Sequence, residues 1–231
     1  MRKRQTLNRM ETRGFTLTEL AIFLGAMGLV FAAIWVAIGN VSSNNHVSKT
    51  IQQVLQISQN IREYYMNQQG IPAACNNNEI TTTIIDANGL FPTDMRRCSG
   101  ASCNIDSAFI EGGAGANSFE VRGSATAGTC VGTTATRFRI VLTNLTPAAC
   151  VQLLFSGINY QDSSLGIAQI CPAQANPTCD NAVGWQAITC SNGICGIPSG
   201  ATYAPITLAQ AQTFCGNGAT AEVGWEFNLH H

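Results

Sequence analysis

The chain has 231 residues, of which 45% are hydrophobic and 11% are charged, and its formal net charge is −1. Residues 1–14 carry five basic residues against one acidic residue, a net of +4, so the remaining residues have a net charge of −5. That balance excludes a basic footprint for nucleic acid in the part of the chain after residue 14.

An apolar segment follows the basic leader. Residues 20–38 contain no charge and no proline. As a helix they would reach about 28 Å, close to the hydrocarbon thickness of a bilayer. A segment that is apolar all round cannot be buried by a small core. Because the basic residues flank its N-terminal side, we expect that side in the cytoplasm and the residues from Asn40 on outside.

The order of leader and apolar segment differs from that of an ordinary secretory signal peptide. Such a peptide has its small-residue cleavage site after its apolar region, whereas Gly14 stands before it. Cleavage after Gly14 would retain the apolar helix and leave a new N-terminus on Phe15. The sequence therefore predicts residues 1–14 to be a leader peptide of the class III type.

The junction from Arg13 to Glu19 resembles that of the type IV pilin family, which reads Gly, an apolar residue, Thr or Ser, Leu, an aliphatic residue and Glu. The matching residues are Gly14, Phe15, Thr16, Leu17 and Glu19. Thr18 departs from the pattern, since it stands where the family usually has an aliphatic residue. The resemblance covers about residues 13–38. It implies that a prepilin peptidase cleaves after Gly14 and methylates the new amine of Phe15.

Glu19 lies at the start of the apolar segment, where an ionised carboxylate costs about 2.5–3.5 kcal/mol to insert. The resemblance implies that its partner is the amine of Phe15 on a neighbouring subunit. A subunit at the wrong axial position would leave both charges unpaired, so the pair would set the register of a filament. The alternative is a juxtamembrane acid beside an ordinary signal anchor.

A second helical pattern follows the apolar segment. After a run of poor helix formers at residues 39–45, an amphipathic stripe recurs at spacings of three and four residues. Its members are Val47, Ile51, Val54, Ser58, Ile61 and Tyr65. We expect one helix over residues 15–66, softened at 39–45, with residues 15–38 in the membrane or the filament core. The second half of this helix would pack against the head, and Pro72 would follow its end.

Residues 67–231 are predicted to form one α+β head with a small antiparallel sheet. A long connecting loop with short elements runs to about residue 116, followed by strands at 118–123 and 136–142. A helix begins at Thr146, with a Pro in its first turn, and a short helix covers 206–214. The last strand spans 222–229, where Val223, Trp225 and Phe227 alternate with Gly224 and Glu226. The family resemblance gives this architecture as the pilin fold, and a strand after the last cysteine resembles the type IVb pilins.

All cysteines follow the apolar segment, and their even number on the exported side predicts disulfide bonds in an oxidising compartment. They are Cys75, Cys98, Cys103, Cys130, Cys150, Cys171, Cys179, Cys190, Cys195 and Cys215. Proximity in sequence favours three small loops: Cys98–Cys103, Cys171–Cys179 and Cys190–Cys195. The pilin resemblance further implies a long Cys150–Cys215 bond closing a D-region of about residues 150–215, which would leave Cys75 with Cys130.

The head offers no recognisable catalytic constellation. The histidines are His46, on the long helix, and a terminal His230-His231 pair. A Ser-His-Asp arrangement needs a histidine within the folded head, and the acidic residues lack the spacing of a Ca²⁺ loop. We therefore expect no enzymatic activity, no cofactor and no metal.

The resemblance implies a structural subunit of a bacterial type IV pilus, of the type IVb-like or conjugative thin-pilus kind, serving adhesion, aggregation or conjugation. Its expected partners are like subunits, the prepilin peptidase and, indirectly, an inner-membrane platform protein and an assembly ATPase. We expect it in the inner membrane before assembly and in an extracellular filament afterwards. The alternatives are a minor or tip pilin acting as an adhesin, a type II secretion pseudopilin, and a signal-anchored exported protein unrelated to filaments.

Overall fold

The structure is a computed structural model. It describes residues 16–72, 74–75, 78–99, 102–109, 118–123, 130–131, 134–156, 166–174, 188–191, 194–199, 202–204, 206–216, 218 and 220–230. The predicted leader, residues 1–14, lies outside this set.

Helix α1 spans Leu17–Tyr65 and is a single helix. It starts and ends within two residues of the predicted bounds, and it continues through residues 39–45, where we expected softening. Glu19 in its first turn and Arg62 in its last turn both complement the helix dipole. The chain divides into two compact units, Met1–Ser42 and Ser43–His231, so α1 begins in the first unit and ends in the second.

The described residues of the second unit contain strands, two further α-helices and two single-turn elements. Its strands are β1 Arg96–Ser99, β2 Ser102–Ile105, β3 Phe119–Gly123, β4 Cys130–Val131, β5 Thr134–Ala135, β6 Arg137–Leu145, β7 Ile167–Gln174, β8 Ile188–Ser191, β9 Ile194–Ser199, β10 Thr202–Ala204 and β11 Ala221–Asn228. The helices are α2 Pro147–Ser156 and α3 Leu208–Cys215, with a π-helical turn at Thr81–Asp86 and a 3₁₀ turn at Thr93–Met95.

Seven of these strands form one antiparallel sheet in the order β10-β9-β8-β7-β11-β6-β3. Two short hairpins, β1–β2 and β4–β5, stand apart from it. The α+β class with an antiparallel sheet is therefore confirmed. The last strand, β11, lies between β7 and β6 rather than at an edge, and its position divides the strands that precede α2 from those that follow it.

The core of the second unit forms where the end of α1 meets one face of this sheet. Of the predicted stripe, Val47, Val54, Ile61 and Tyr65 are buried, and Ile57 is buried beside them. They belong to the same cluster as the alternating apolar residues of β6 and β11, namely Phe138, Ile140, Leu142, Val223, Trp225 and Phe227. Two periodicities, 3.6 on the helix and 2 on the strands, thus meet in one core.

Arg62 joins α1 to the end of the last strand. Its Nε donates a hydrogen bond to the backbone oxygen of Asn228 at 3.0 Å, and its guanidinium lies 5.5 Å from the centre of the Phe227 ring. Burial lowers the pKa of Arg62. The contact is a cation–π pair combined with a charge-assisted hydrogen bond, so it fixes both the position and the orientation of the strand end.

A buried ion pair joins β6 and β11 through residues that alternate with the apolar core residues of these strands. Arg139 Nε donates to Glu226 Oε2 at 2.7 Å, with the two side chains 1% and 0% exposed, and Arg137 contacts Glu226 Oε1 at 3.2 Å. Burial lowers the pKa of Arg139, and the charge of Glu226 opposes that shift. Because Glu226 pairs with Arg139 in the β11–β6 register, a slip of one residue would leave both charges buried without each other.

The β3 edge of the sheet is covered by the segment around Asn78–Thr81. Ile80 N donates to Val121 O at 2.8 Å, and Val121 N donates to the Thr81 hydroxyl at 2.9 Å. Gly123 N donates to Asn78 O at 3.0 Å. These bonds pair groups that would otherwise form an open edge, which is a template for aggregation.

Replacing Gly123 by alanine should unfold or severely destabilise the second unit. An added Cβ would lie 1.2 Å from the backbone oxygen of Ala74, which cannot move aside as a side-chain end could. Overpacking of a rigid site costs about 1–3 kcal/mol or more. Chemical denaturation of the full chain in detergent measures the loss. Gly218→Ala is the matched control, because its nearest neighbour would be 3.6 Å away, and equal stability of both variants would contradict this packing.

The Arg139–Glu226 pair should show strong coupling in a double-mutant cycle. Arg139→Met or Glu226→Met alone removes one partner of a buried ion pair, which costs up to about 3–5 kcal/mol in free energy of unfolding; Arg139→Met should cost less, because Glu226 keeps its contact with Arg137. The double variant should lose less than the sum by at least about 1 kcal/mol. The exposed pair Lys49–Asp94, with side chains 56% and 53% exposed, is the control and should couple by less than about 1 kcal/mol. Additive losses at Arg139 and Glu226 would refute the coupling.

Candidate functional site: an apolar helix and its capping box

The first part of α1 is the most unusual surface of the described chain. Residues Leu17–Trp35 have a mean hydropathy of 2.1, and none of this stretch is buried. Among its large side chains, Leu29 is 76% exposed and Trp35 80% exposed. By length and composition this helix could cross a membrane, as an anchor or as a signal sequence. This exposed stretch agrees closely with the predicted apolar segment. Because water is a poor solvent for such a surface, this part of the helix needs an apolar environment.

The first turn of α1 is a capping box formed by Thr16 and Glu19. Thr16 precedes the helix, and its hydroxyl accepts a hydrogen bond from Glu19 N at 3.3 Å. In return, Glu19 Oε2 accepts from both the backbone N and the hydroxyl of Thr16, each at 2.9 Å. This reciprocal pattern satisfies backbone donors that a helix start leaves unpaired. Glu19 therefore has a bonding partner three residues away within its own chain.

The capping box gives Glu19 a local partner in addition to the predicted charge partner on a neighbouring subunit, which stays a prediction. From the junction we predicted only a partner charge on a neighbouring subunit, and the Thr-x-x-Glu spacing was a signal for a local partner as well. The second carboxylate oxygen, Oε1, takes no part in the three bonds described. The remaining predicted junction residues, Gly14 and Phe15, lie outside the described residues, so their roles in processing and assembly stay predictions.

Two of the predicted disulfide bonds are present in the structure. Cys98 is bonded to Cys103 across the β1–β2 hairpin, and Cys150 of α2 is bonded to Cys215 of α3. Cys75 and Cys171 are also disulfide-bonded, but their predicted partners Cys130 and Cys179 lie outside the described side chains. The same is true of the side chains of Cys190 and Cys195, although the two residues face each other in the β8–β9 register.

The two described bonds differ in what they contribute. Cys98 and Cys103 are 5 residues apart in sequence, whereas Cys150 and Cys215 are 65 apart. In the chain-entropy model the short loop stabilises by about 2 kcal/mol and the long one by about 4 kcal/mol. Both Cys150 and Cys215 are fully buried. The long bond thus ties α2 directly to α3 and closes the segment between them.

A groove of about 1070 Å³ lies between α2 and α3. It is lined by small or uncharged residues: Pro147, Ala148, Val151, Gln152, Ala209, Gln212, Thr213, Gly216 and Gly218. None of these described lining residues has a side chain that could act as a general acid or base near neutral pH. Among the described residues, no three His, Cys, Asp or Glu side chains cluster so as to hold a metal ion.

Comparison of the sequence with protein-family models finds no matching family, and comparison with curated proteins finds no match.

Removing the Thr16 hydroxyl should fray the first turn of α1. Thr16→Val keeps the shape of the side chain and loses its acceptor, which costs about 1 kcal/mol of capping. The amides of Glu19 and Leu20, which donate to the hydroxyl and the backbone oxygen of Thr16, should then exchange with deuterium several-fold faster in detergent micelles, while those of residues 50–60 stay unchanged. Thr16→Ser, which keeps the hydroxyl, is the control. Unaltered exchange in Thr16→Val would show that the capping box does not hold the turn.

Proposed function

We propose that this chain is the structural subunit of a bacterial type IV pilus of the type IVb-like kind. In this role it is cleaved after Gly14 by a prepilin peptidase and polymerises through its N-terminal helix. The observation that carries the proposal is a cleavage-type junction placed directly before a helix that is apolar on every side. Cleavage at that point produces a subunit that keeps its apolar helix, whereas cleavage of a secretory signal removes it.

The exposed part of α1 needs one apolar environment before assembly and another after it. Before assembly, the 19 residues Leu17–Trp35 match a bilayer, which solvates apolar side chains on all faces. After extraction from the membrane, the same side chains need other apolar surfaces, and like helices packed side by side supply them. Each large side chain that becomes fully buried contributes about 1.5–3 kcal/mol. Because the bilayer already solvates these side chains before assembly, this burial holds an extracted subunit in the filament and does not by itself drive its extraction from the membrane.

Small residues of this segment suit close packing between helices. Gly25 and Gly28 have no atom within 4 Å of where a Cβ would stand. Such positions let helix backbones approach one another in an apolar medium. They supply space for neighbouring helices without specifying one partner.

Glu19 gives the assembly its register. In the membrane the capping box with Thr16 offsets part of the cost of a carboxylate at the membrane edge. In the filament the new amine of Phe15 on a neighbouring subunit supplies the opposite charge. Because only one axial offset brings the two charges together, incorrectly placed subunits keep an unpaired charge in an apolar core.

The head forms the outer wall of the filament. It is joined to α1 through a shared core and through the Arg62 contact with Asn228. Disulfide bonds at Cys98–Cys103 and Cys150–Cys215 suit an oxidising compartment outside the cytoplasm. In this position the head is the part available for adhesion, aggregation or mating contacts.

Mass spectrometry of filaments sheared from cells that express this chain tests the proposal. We expect an abundant N-terminal peptide that begins at methylated Phe15, and Gly14→Leu should abolish it. A processed chain present only at trace level relative to the other filament proteins would favour a minor or tip pilin, and one retained in periplasmic fibres would favour a pseudopilin. An uncleaved N-terminus found only in membranes would end the proposal in favour of a signal anchor.

Substitution of Glu19 separates processing from assembly. Glu19→Ala should leave cleavage after Gly14 intact and reduce the sheared filament fraction at least about tenfold, because each 1.4 kcal/mol lost per contact lowers its equilibrium constant tenfold. Glu19→Asp, which keeps the charge, is the control and should retain more filament. Filaments from Glu19→Ala in wild-type amounts would remove the charge-pair argument while leaving the cleavage result untouched.

A further inference from the structure

The hairpin β1–β2 carries a disulfide that differs from the buried one in access. In the β1–β2 register, Cys98 stands directly opposite Cys103, with Ser99 opposite Ser102 and two residues between. The Cys98 side chain is exposed and that of Cys103 is partly exposed. Cys150 and Cys215, by contrast, are each 0% exposed. Of the two bonds, only the hairpin bond joins residues that are exposed or partly exposed to solution, so a thiolate from solution can reach it more readily than the α2–α3 bond.

The hairpin is also held by bonds that do not involve sulfur. Asp106 N donates to Met95 O at 3.0 Å, which ties the end of β2 to the turn before β1. Arg97 Nε lies 3.2 Å from Asp106 Oδ2, and the Asp106 side chain is only 6% exposed. Arg96 forms an ion pair with Asp86 and a second bond to the Asp86 backbone oxygen. These contacts keep both strands in place when the disulfide opens.

We propose that Cys98–Cys103 is a thiol–disulfide exchange site for a dithiol oxidoreductase, and that Cys150–Cys215 is purely structural. An exposed disulfide is the kind that exchanges readily, whereas a buried one resists attack. The proposal concerns the head by itself and does not depend on the filament role.

The exchange proceeds in two balanced steps. A thiolate of the dithiol attacks Sγ of Cys98 in line with the S–S bond, forming a mixed disulfide and releasing the Cys103 sulfur as a thiolate, which takes up a proton. The second thiol of the reagent, as a thiolate, then attacks the reagent's other sulfur, which is bonded to Cys98 in the mixed disulfide. This closes the reagent's disulfide and releases Cys98 as a thiolate, which is protonated in turn. The chain gains two electrons and two protons, and the dithiol becomes a disulfide.

The order of attack follows from exposure. Cys98 is the more exposed of the two residues, so the mixed disulfide should form there rather than on Cys103. The hairpin β8–β9 repeats the backbone arrangement, with Cys190 opposite Cys195 and two residues between the facing pair Ser191 and Ile194. The side chains of Cys190 and Cys195 lie outside the described residues, so the exchange site is assigned to Cys98–Cys103 alone.

A titration with dithiothreitol tests the proposal on the full-length chain in detergent under native conditions. Thiols are trapped with iodoacetamide at each step, and alkylated peptides are measured by mass spectrometry. We expect Cys98 and Cys103 to be half alkylated at a dithiothreitol concentration at least tenfold below that needed for Cys150 and Cys215. The near-ultraviolet circular dichroism of the head should be unchanged at that point. Simultaneous alkylation of both pairs, or alkylation of Cys98 only when that signal is lost, would overturn the proposal.

Two further measurements separate an exchange site from a loosely held staple. A thioredoxin-type protein with its resolving cysteine replaced by serine should form a mixed disulfide with Cys98, and attachment to Cys103 alone or to neither would contradict the order of attack. The double variant Cys98→Ser/Cys103→Ser should keep the circular dichroism of the head and melt no more than about 8 °C below the parent. Loss of the fold in that variant would show that the bond is structural and would refute the proposal.

Discussion

The pairing of β11 with both β6 and β7 is the interaction on which the head depends. Without β11 the seven-stranded sheet would separate into β3–β6 and β7–β10, because no other ladder joins them among the described strands. Other contacts converge on the same strand. Arg62 of α1 reaches the backbone of Asn228, Arg139 of β6 reaches Glu226, and Leu229 N donates to Thr136 O at 3.0 Å. The helix, the core and the buried charges thus share one support.

Helix α1 combines two kinds of surface in one element. Its last five turns follow the usual rule of an amphipathic helix, with Val54, Ile57 and Ile61 fully buried in the core. Its first five turns have the composition of a membrane segment, with apolar side chains on every face and a single acidic residue at the end. The two stretches differ in charge pattern rather than in helix propensity, which explains why the backbone remains one helix across them.

Much of this architecture can be predicted from local patterns. The 3.6-residue stripe from Val47 to Tyr65 and the alternation in β6 and β11 gave correct element types, because each pattern repeats over several turns or pairs. Strand β7 was missed, since Pro172 argues against a central strand, yet β7 pairs with β11 throughout its length. The hairpin β8–β9 was also missed, although Asn192-Gly193 between its strands is a strong turn signal. Arg139 and Glu226 lie 87 residues apart, so no local pattern could join them.

The position of β11 has a consequence for how the chain is made. Strands β6 and β7 are synthesised well before β11, so a growing chain carries two half-sheets, each with an open inner edge, until its final segment emerges. Such edges recruit other strands and favour aggregation, and long-range pairing of this kind forms slowly. A stop codon or proteolytic nick just ahead of Ala221 would therefore not produce a slightly shorter head. It would leave two unpaired edges facing solvent, a product that quality-control proteases can recognise and remove.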